Sequence, residues 1–176
     1  VQELSTVVVR SFPHSKNAYT QGLLIHNGRL FESTGLYGSS SLRQVNLHTG
    51  MVERFLPISK KYFGEGLARV NNQLIQLTWQ KGIAFVYDLE TFEALKPFRY
   101  EGEGWGLCHD GKHLYMSNGT STLFRRNAYT FEKERTLTIT LHGKPIHQLN
   151  ELECVGEHVY ANIWQTIATI NETYTE

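Results

Sequence analysis

The sequence predicts an all-β fold arranged as a β-propeller with about four blades. Alternating apolar residues broken by tight-turn signals run through the 176 residues, and no long segment spaces its apolar residues at the helical period. One strand–turn–strand unit recurs four times. The recurrences lie 44, 40 and 45 residues apart, the period of propeller blades built from four short strands.

The four units are "LLIHNGRLFES", "LARVNNQLIQL", "LCHDGKHLYMS" and "LECVGEHVYAN". Their turns read Asn-Gly, Asn-Asn, Asp-Gly and Val-Gly, and the first and third are strong hairpin signals. Aligned, they place Gly22, Gly66, Gly106 and Glu151 in one column, each followed by a leucine. The first three units continue into a second strand pair: "SLRQVNLHTGMVERFLPI", "GIAFVYDLETFEALKPFRY" and "TLFRRNAYTFEKERTLTI". A sandwich with chance internal similarity is the alternative; recurrence at strand, turn and glycine positions together favours the propeller. The fourth unit runs out at "TIATINETYTE", where its third and fourth strands should begin. The opening "STVVVRSF" is a spare strand, expected to complete the last blade. The reading is therefore one propeller domain over 1–176, with units starting near 19, 63, 103 and 148 and a closing C-terminal blade missing.

Composition narrows the function. Net charge is zero and the pI is about 7.2, which gives no electrostatic case for nucleic acid or a membrane surface. No apolar run is long enough to cross a bilayer, and "VQELSTVVVR" shows no leader pattern. Cys108 and Cys154 fit no zinc or redox spacing, and two buried thiols are expected in preference to a disulfide. The eight histidines fall mostly in turns, and no metal site is expected.

Propeller symmetry converts repeat columns into places in space. The residue that begins each innermost strand lies near the central axis at one mouth. That column reads Gln21, Glu65, Trp105 and Asn150. A second column, thirteen residues after the glycines, reads Gly35, Trp79, Gly119 and Trp164. A few polar groups in an aromatic wall is the usual composition of a small-ligand site. A carboxylate so enclosed is desolvated, and its pKa rises toward the range useful for proton transfer. Glu65 is the sole carboxylate of the axial column. Glu101 and Glu103 flank Trp105 in "YEGEGWGL" and read as solvated loop carboxylates in preference to the alternative that one of them faces the site. Glu151 and Glu153 alternate with Leu152, and read equally as support for Asn150 or as surface charge.

At these residues the chain resembles the plant and bacterial type of glutaminyl cyclase (glutamine cyclotransferase). The matching strings are "YTQGL", "ESTGLYGSSSLR", "FGEGLA", "LTWQKG", "YEGEGWGL", "LNELE" and "ANIW", in order over most of the chain. The resemblance implies a five-bladed propeller that converts an N-terminal glutamine of peptides or proteins to pyroglutamate with loss of ammonia. It also implies no cofactor and no metal, a monomer, and a secreted or periplasmic location. The family's site residues carry over onto Gln21, Glu65 and Asn150 as catalytic groups and onto Phe63, Trp79, Trp105 and Trp164 as the substrate wall. Tyr19 stands where other members have Phe, which keeps the ring and adds a hydroxyl. The family also has a lysine in its fifth blade; Lys81 and Lys144 match no such position. A propeller that binds peptide N-termini or small ligands without turnover, and an incomplete scaffold, are the open alternatives.

Overall fold

The computed structural model describes residues 1–166 and 169–173. Four antiparallel four-stranded sheets follow one another along the chain. Blade one is β2 (Thr20–His26), β3 (Arg29–Thr34), β4 (Ser41–Val45) and β5 (Val52–Pro57). Blade two is β6 (Gly64–Val70), β7 (Gln73–Thr78), β8 (Ile83–Asp88) and β9 (Phe98–Arg99). Blade three is β10 (Leu107–His109), β11 (His113–Met116), β12 (Thr122–Asn127) and β13 (Lys133–Thr138). A small hairpin, β14 (Thr140–Leu141) and β15 (Lys144–Pro145), leads to blade four. That blade is β16 (Leu149–Val155), β17 (His158–Ile163) and β18 (Thr169–Thr173), closed at its edge by β1 (Gln2–Leu4).

Local chemistry fixes the hairpins. Asn27 and Gly28 carry φ of 51° and 73°, the left-handed pair that a two-residue hairpin turn demands. The outer turns share a second device. Asn46, Asp88 and Asn127 stand at one repeat position, and each side-chain oxygen accepts two backbone N–H groups, those of His48 and Thr49, Glu90 and Thr91, and Tyr129 and Thr130. These are Asx turns, which orient the chain for the next strand without help from tertiary packing. Blade two has the shortest outer strand; Pro97 precedes it and has no N–H to give a ladder.

The first strand of each sheet faces the axis. Contacts join β2 to β6, β6 to β10 and β10 to β16. Three apolar clusters fill the three seams between blades. Phe31, Leu42, Leu67 and Leu74 close the first, Val70, Ile75, Leu107 and Met116 the second, and Tyr115, Leu149, Leu152 and Ile170 the third. Among the described residues no such cluster joins blade four back to blade one, so the ring is open there.

Two expectations change. The strand that completes blade four is Gln2–Leu4, paired in register Gln2 with Asn171 and Leu4 with Thr169, and not "STVVVRSF". The edge of β18 is already used by residues 2–4, so Val7, Val8 and Val9 lie beyond the ladder and are exposed. The segment is tied down further along, where His14 Nε2 meets buried Glu32 at 2.8 Å. Blade four therefore does have a third and a fourth strand; residues 167–168 and 174–176 of "TIATINETYTE" lie outside the described residues. Second, Cys108 and Cys154 are disulfide-bonded, Cα to Cα 5.5 Å. They sit on the axial strands of adjacent blades, whose close approach brings them within bonding reach.

Candidate active site at the axial mouth

The axial residues are presented by irregularities in the ladder. Between Thr20 and Gly22, between Gly64 and Leu67, and between Leu149 and Leu152, the inner strand carries one more residue than its partner. In blade three Trp105 and Gly106 share one partner: Trp105 N–H donates to the Ser117 carbonyl, and Ser117 N–H donates to the Gly106 carbonyl. Each is a β-bulge, which bends the strand and re-aims a side chain. Gln21, Glu65, Trp105 and Asn150 all stand at these bulges. The glycines beside them are required by space. A Cβ on Gly22 would meet the backbone of Leu67, and one on Gly66 would meet that of Trp105 to Leu107. A Cβ on Gly106 would meet the carbonyl of Asn150 and the backbone of Glu151.

Hydrogen-bond tethers, two from hydroxyls and one from a backbone N–H, pin the axial residues across the seams. Ser33 of blade one donates to the carbonyl of Glu65 in blade two. Ser117 of blade three donates to the carbonyl of Asn150 in blade four at 2.6 Å. Between blades two and three, Gly66 N–H donates to the Trp105 carbonyl at 2.7 Å. All three tethers grip backbone, so the axial side chains are left to the mouth.

Glu65 is 4 % exposed, and Gln21 Nε2 donates to its Oε2 at 2.6 Å. Burial pushes its pKa up to about 8, the Gln21 hydrogen bond pulls against that, and the negative charge of Glu103 adds to the rise. Around it runs an aromatic wall. Phe63 packs edge-on against Tyr19, Tyr37 and Trp79, at centroid distances of 6.1, 5.6 and 5.7 Å. Trp105 packs edge-on against Trp164 at 5.7 Å. Gly35 and Gly119 complete the wall by their smallness. A Cβ on Gly35 would strike the Phe63 ring, and one on Gly119 the Trp105 ring. The second column alternates glycine and tryptophan because a neighbouring ring lies over each glycine.

Two groups here take a larger part than the sequence assigned them. Glu103 is no solvated loop carboxylate: its Oε2 accepts from Trp79 Nε1 at 2.8 Å and from Trp105 Nε1 at 2.9 Å, and its Oε1 accepts from Gln80 at 3.1 Å. Burial pushes its pKa up, but those donors outweigh burial and hold it below the usual carboxylate value. The repeat register contains the signal, since Glu103 occupies the column of Tyr19 and Phe63. Glu101, by contrast, is exposed. The second is Glu151, which stands in the column of Gly22, Gly66 and Gly106. Both its oxygens are buried without a hydrogen-bond partner among the described residues. Burial first, then the charges of Glu65 and Glu153, raise its pKa well above the usual value. Both causes favour the protonated form of Glu151.

A family model described as glutamine cyclotransferase matches residues 1–174. The chain belongs to the glutamine cyclotransferase family. A curated glutaminyl-peptide cyclotransferase of Arabidopsis thaliana is 45% identical over 161 residues, which cover 90% of this chain and 50% of the plant protein. The chain thus spans about half the length of that relative. The crystal structure of Myxococcus xanthus glutaminyl cyclase superposes with a TM-score of 0.88 at 35% identity, over 95% of this chain and 71% of the other. The Pan2 WD40 domain of Neurospora crassa has a TM-score of 0.62 at 12% identity, over 87% of this chain and 46% of that one; that likeness concerns the propeller fold alone. In this chain Gln21, Glu65, Trp105 and Asn150 stand at the bulges of the four axial strands, and Tyr19, Phe63 and Trp79 form one ring group and Trp105 and Trp164 another.

Proposed function

We propose that this chain forms a site that cyclises the N-terminal glutamine of peptides or proteins to pyroglutamate and releases ammonia, with Glu65 moving the proton and no metal taking part. The substrate's α-amine nitrogen attacks the carbon of its own side-chain carboxamide. A C–N bond forms, the carbonyl oxygen becomes an oxyanion, and the amine proton passes to Glu65. Glu65 then returns that proton to the departing nitrogen, the second C–N bond breaks, and ammonia leaves. One carboxyl serves as base and then as acid, which requires a pKa near that of the amine it faces. The observation that carries the reading is Glu65 itself: a carboxyl 4 % exposed, with a pKa near 8, at the foot of an aromatic wall. An α-amino group titrates at about 7.7 to 8, so the proton is shared almost evenly between the two.

Gln21 orients Glu65 through its 2.6 Å hydrogen bond. Asn150, carried on the blade-four bulge, offers amide N–H groups to the oxyanion. Tyr19, Phe63, Trp79, Trp105 and Trp164 hold the side chain curled toward the amine, the folded conformer from which a five-membered ring closes. The Cys108–Cys154 bond supports a secreted or periplasmic setting, where disulfides persist. A monomer acting on free peptide N-termini fits the single mouth.

The test follows ammonia from a Gln-initiated peptide, with and without a chelator. Turnover that persists with the chelator and is lost in Glu65→Gln supports the reading. Loss on chelation sinks the metal-free mechanism, and wild-type turnover in the variant sinks the role of Glu65.

A further inference from the structure

Blade three breaks the pattern of the rim. Two residues before each axial residue, blades one and two place the rings of Tyr19 and Phe63, whereas blade three places Glu103. Among the described residues, ring packing alone therefore does not connect the two halves of the wall. Phe63 and Trp79 form one aromatic group, Trp105 and Trp164 the other. Each inner indole carries a donor-only N–H that needs an acceptor once partly buried. A single oxygen of Glu103 accepts both, at 2.8 and 2.9 Å, while Gln80 fixes the other oxygen.

We propose that Glu103 is a positioning residue of this mouth, whose carboxylate joins the Trp79 and Trp105 indoles into one wall and holds a fixed negative charge opposite Glu65. The proposal rests on the cyclisation reading above and deepens it. Hydrogen bonds to an ionised acceptor are about twice as strong as neutral ones, so the clamp is a reason for Glu103 to stay charged. That charge has a direct consequence for its neighbour. The groups that act on Glu65 are Gln21 by its hydrogen bond and Glu103 by charge, while Glu65 in turn acts by charge on Glu151 and Tyr100. Gln21 favours the ionised form of Glu65. Burial favours the protonated form of Glu151. Glu103, itself held below the usual carboxylate value, favours the protonated form of Glu65 by its charge. The backbone is built for this placement: Gly104 passes over the Tyr100 hydroxyl with no room for a Cβ, and Gly102 turns at a φ of +80°.

Two substitutions separate clamp from charge. Glu103→Gln keeps an oxygen that accepts both indoles and removes the charge. Its KM for a Gln-initiated peptide stays within about threefold of wild type, while the acid limb of its kcat/KM profile moves to lower pH. Glu103→Ala removes both functions, and its KM rises about tenfold or more. Glu101→Gln, at an exposed neighbour, leaves both readouts unchanged. A measurement free of turnover runs beside these. Indole emission of the folded wild type, checked by circular dichroism, titrates with an acid midpoint below the usual carboxylate value, and Glu103→Gln lacks that transition. An unmoved pH profile in Glu103→Gln, a wild-type KM in Glu103→Ala, or identical emission titrations would overturn the proposal. If the wild-type chain releases no ammonia, the cyclisation reading fails and the emission arm alone decides the clamp.

Discussion

Replacing Glu65 with glutamine should make the protein more stable at alkaline pH while removing its activity. Glu65 has a usual carboxylate value of 4.5 in the unfolded chain and about 8 in the fold. Below pH 4.5 both states hold the proton and the group makes no difference. Between 4.5 and about 8 only the unfolded chain ionises, so stability falls as pH rises; above 8 both are ionised and the deficit is constant. At 1.36 kcal/mol per pH unit, that interval corresponds to about 5 kcal/mol against the folded state. Glutamine keeps the shape and still accepts from Gln21, so it removes the deficit without opening a cavity. The assay is urea unfolding of wild type and Glu65→Gln at pH 4.5 and pH 9. The two should coincide at the lower pH, and the variant should lead by several kcal/mol at the higher. Glu151 titrates upward in both proteins, so the difference between them, not the slope of either, is the measured quantity. A gap that does not depend on pH, or a wild type that gains on the variant as pH rises, would refute the placement of Glu65 in a desolvated mouth. Ammonia release by the same variant should drop by about 10² to 10⁴, the usual scale for removing a general base.

Three further outcomes follow from the geometry. The wild-type kcat/KM profile should rise through about pH 8 and level off, since attack needs a neutral amine and an ionised Glu65; a flat profile from pH 6 to 9 would contradict that pair. Changing both Cys108 and Cys154 to Ser opens a loop of 46 residues and should cost about 4 kcal/mol by loop entropy, read as a lower urea midpoint that matches reduced wild type. Gly119→Ala must place a Cβ 2.5 Å from the Trp105 ring at a φ of +76°, so it should lose about 1 to 3 kcal/mol and raise KM; wild-type values for both would show that Trp105 does not lie where it is drawn.

The blades were legible because their signals are local and repeated. Asn27-Gly28 and Asp110-Gly111 announce hairpins wherever they stand, and the recurring Gly-Leu pairs fix the register. Residues that depend on a neighbouring blade were less so. Cys108 and Cys154 bond only because two axial strands approach within 5.5 Å, a distance no spacing of 46 residues conveys. Three consecutive valines, Val7 to Val9, read as strand by propensity, yet the strand lies at Gln2–Leu4 because the partner edge decides pairing. Glu103 is the instructive case. Flanked by glycines it looks solvated, and only its column, shared with Tyr19 and Phe63, marks it as part of the rim. Its two indole partners come from different blades, so no local pattern could supply them. Glu151 is the same lesson reversed: a carboxylate in a glycine column is a departure that burial makes significant.

The bulges make the mouth unusually sensitive to chain length. Side chains along a strand alternate faces with a period of two, so removing the one extra residue from a bulge restores regular pairing and turns every residue before it to the opposite face. A deletion of Gly66 would leave the ladder from Leu67 to Val70 intact and swing Glu65 off its present aim. The β6–β7 hairpin would keep its pairs while the proton carrier was lost. Single-residue length changes at positions 21, 65–66, 105–106 and 150–151 should separate propellers that keep this chemistry from those that keep only the shape.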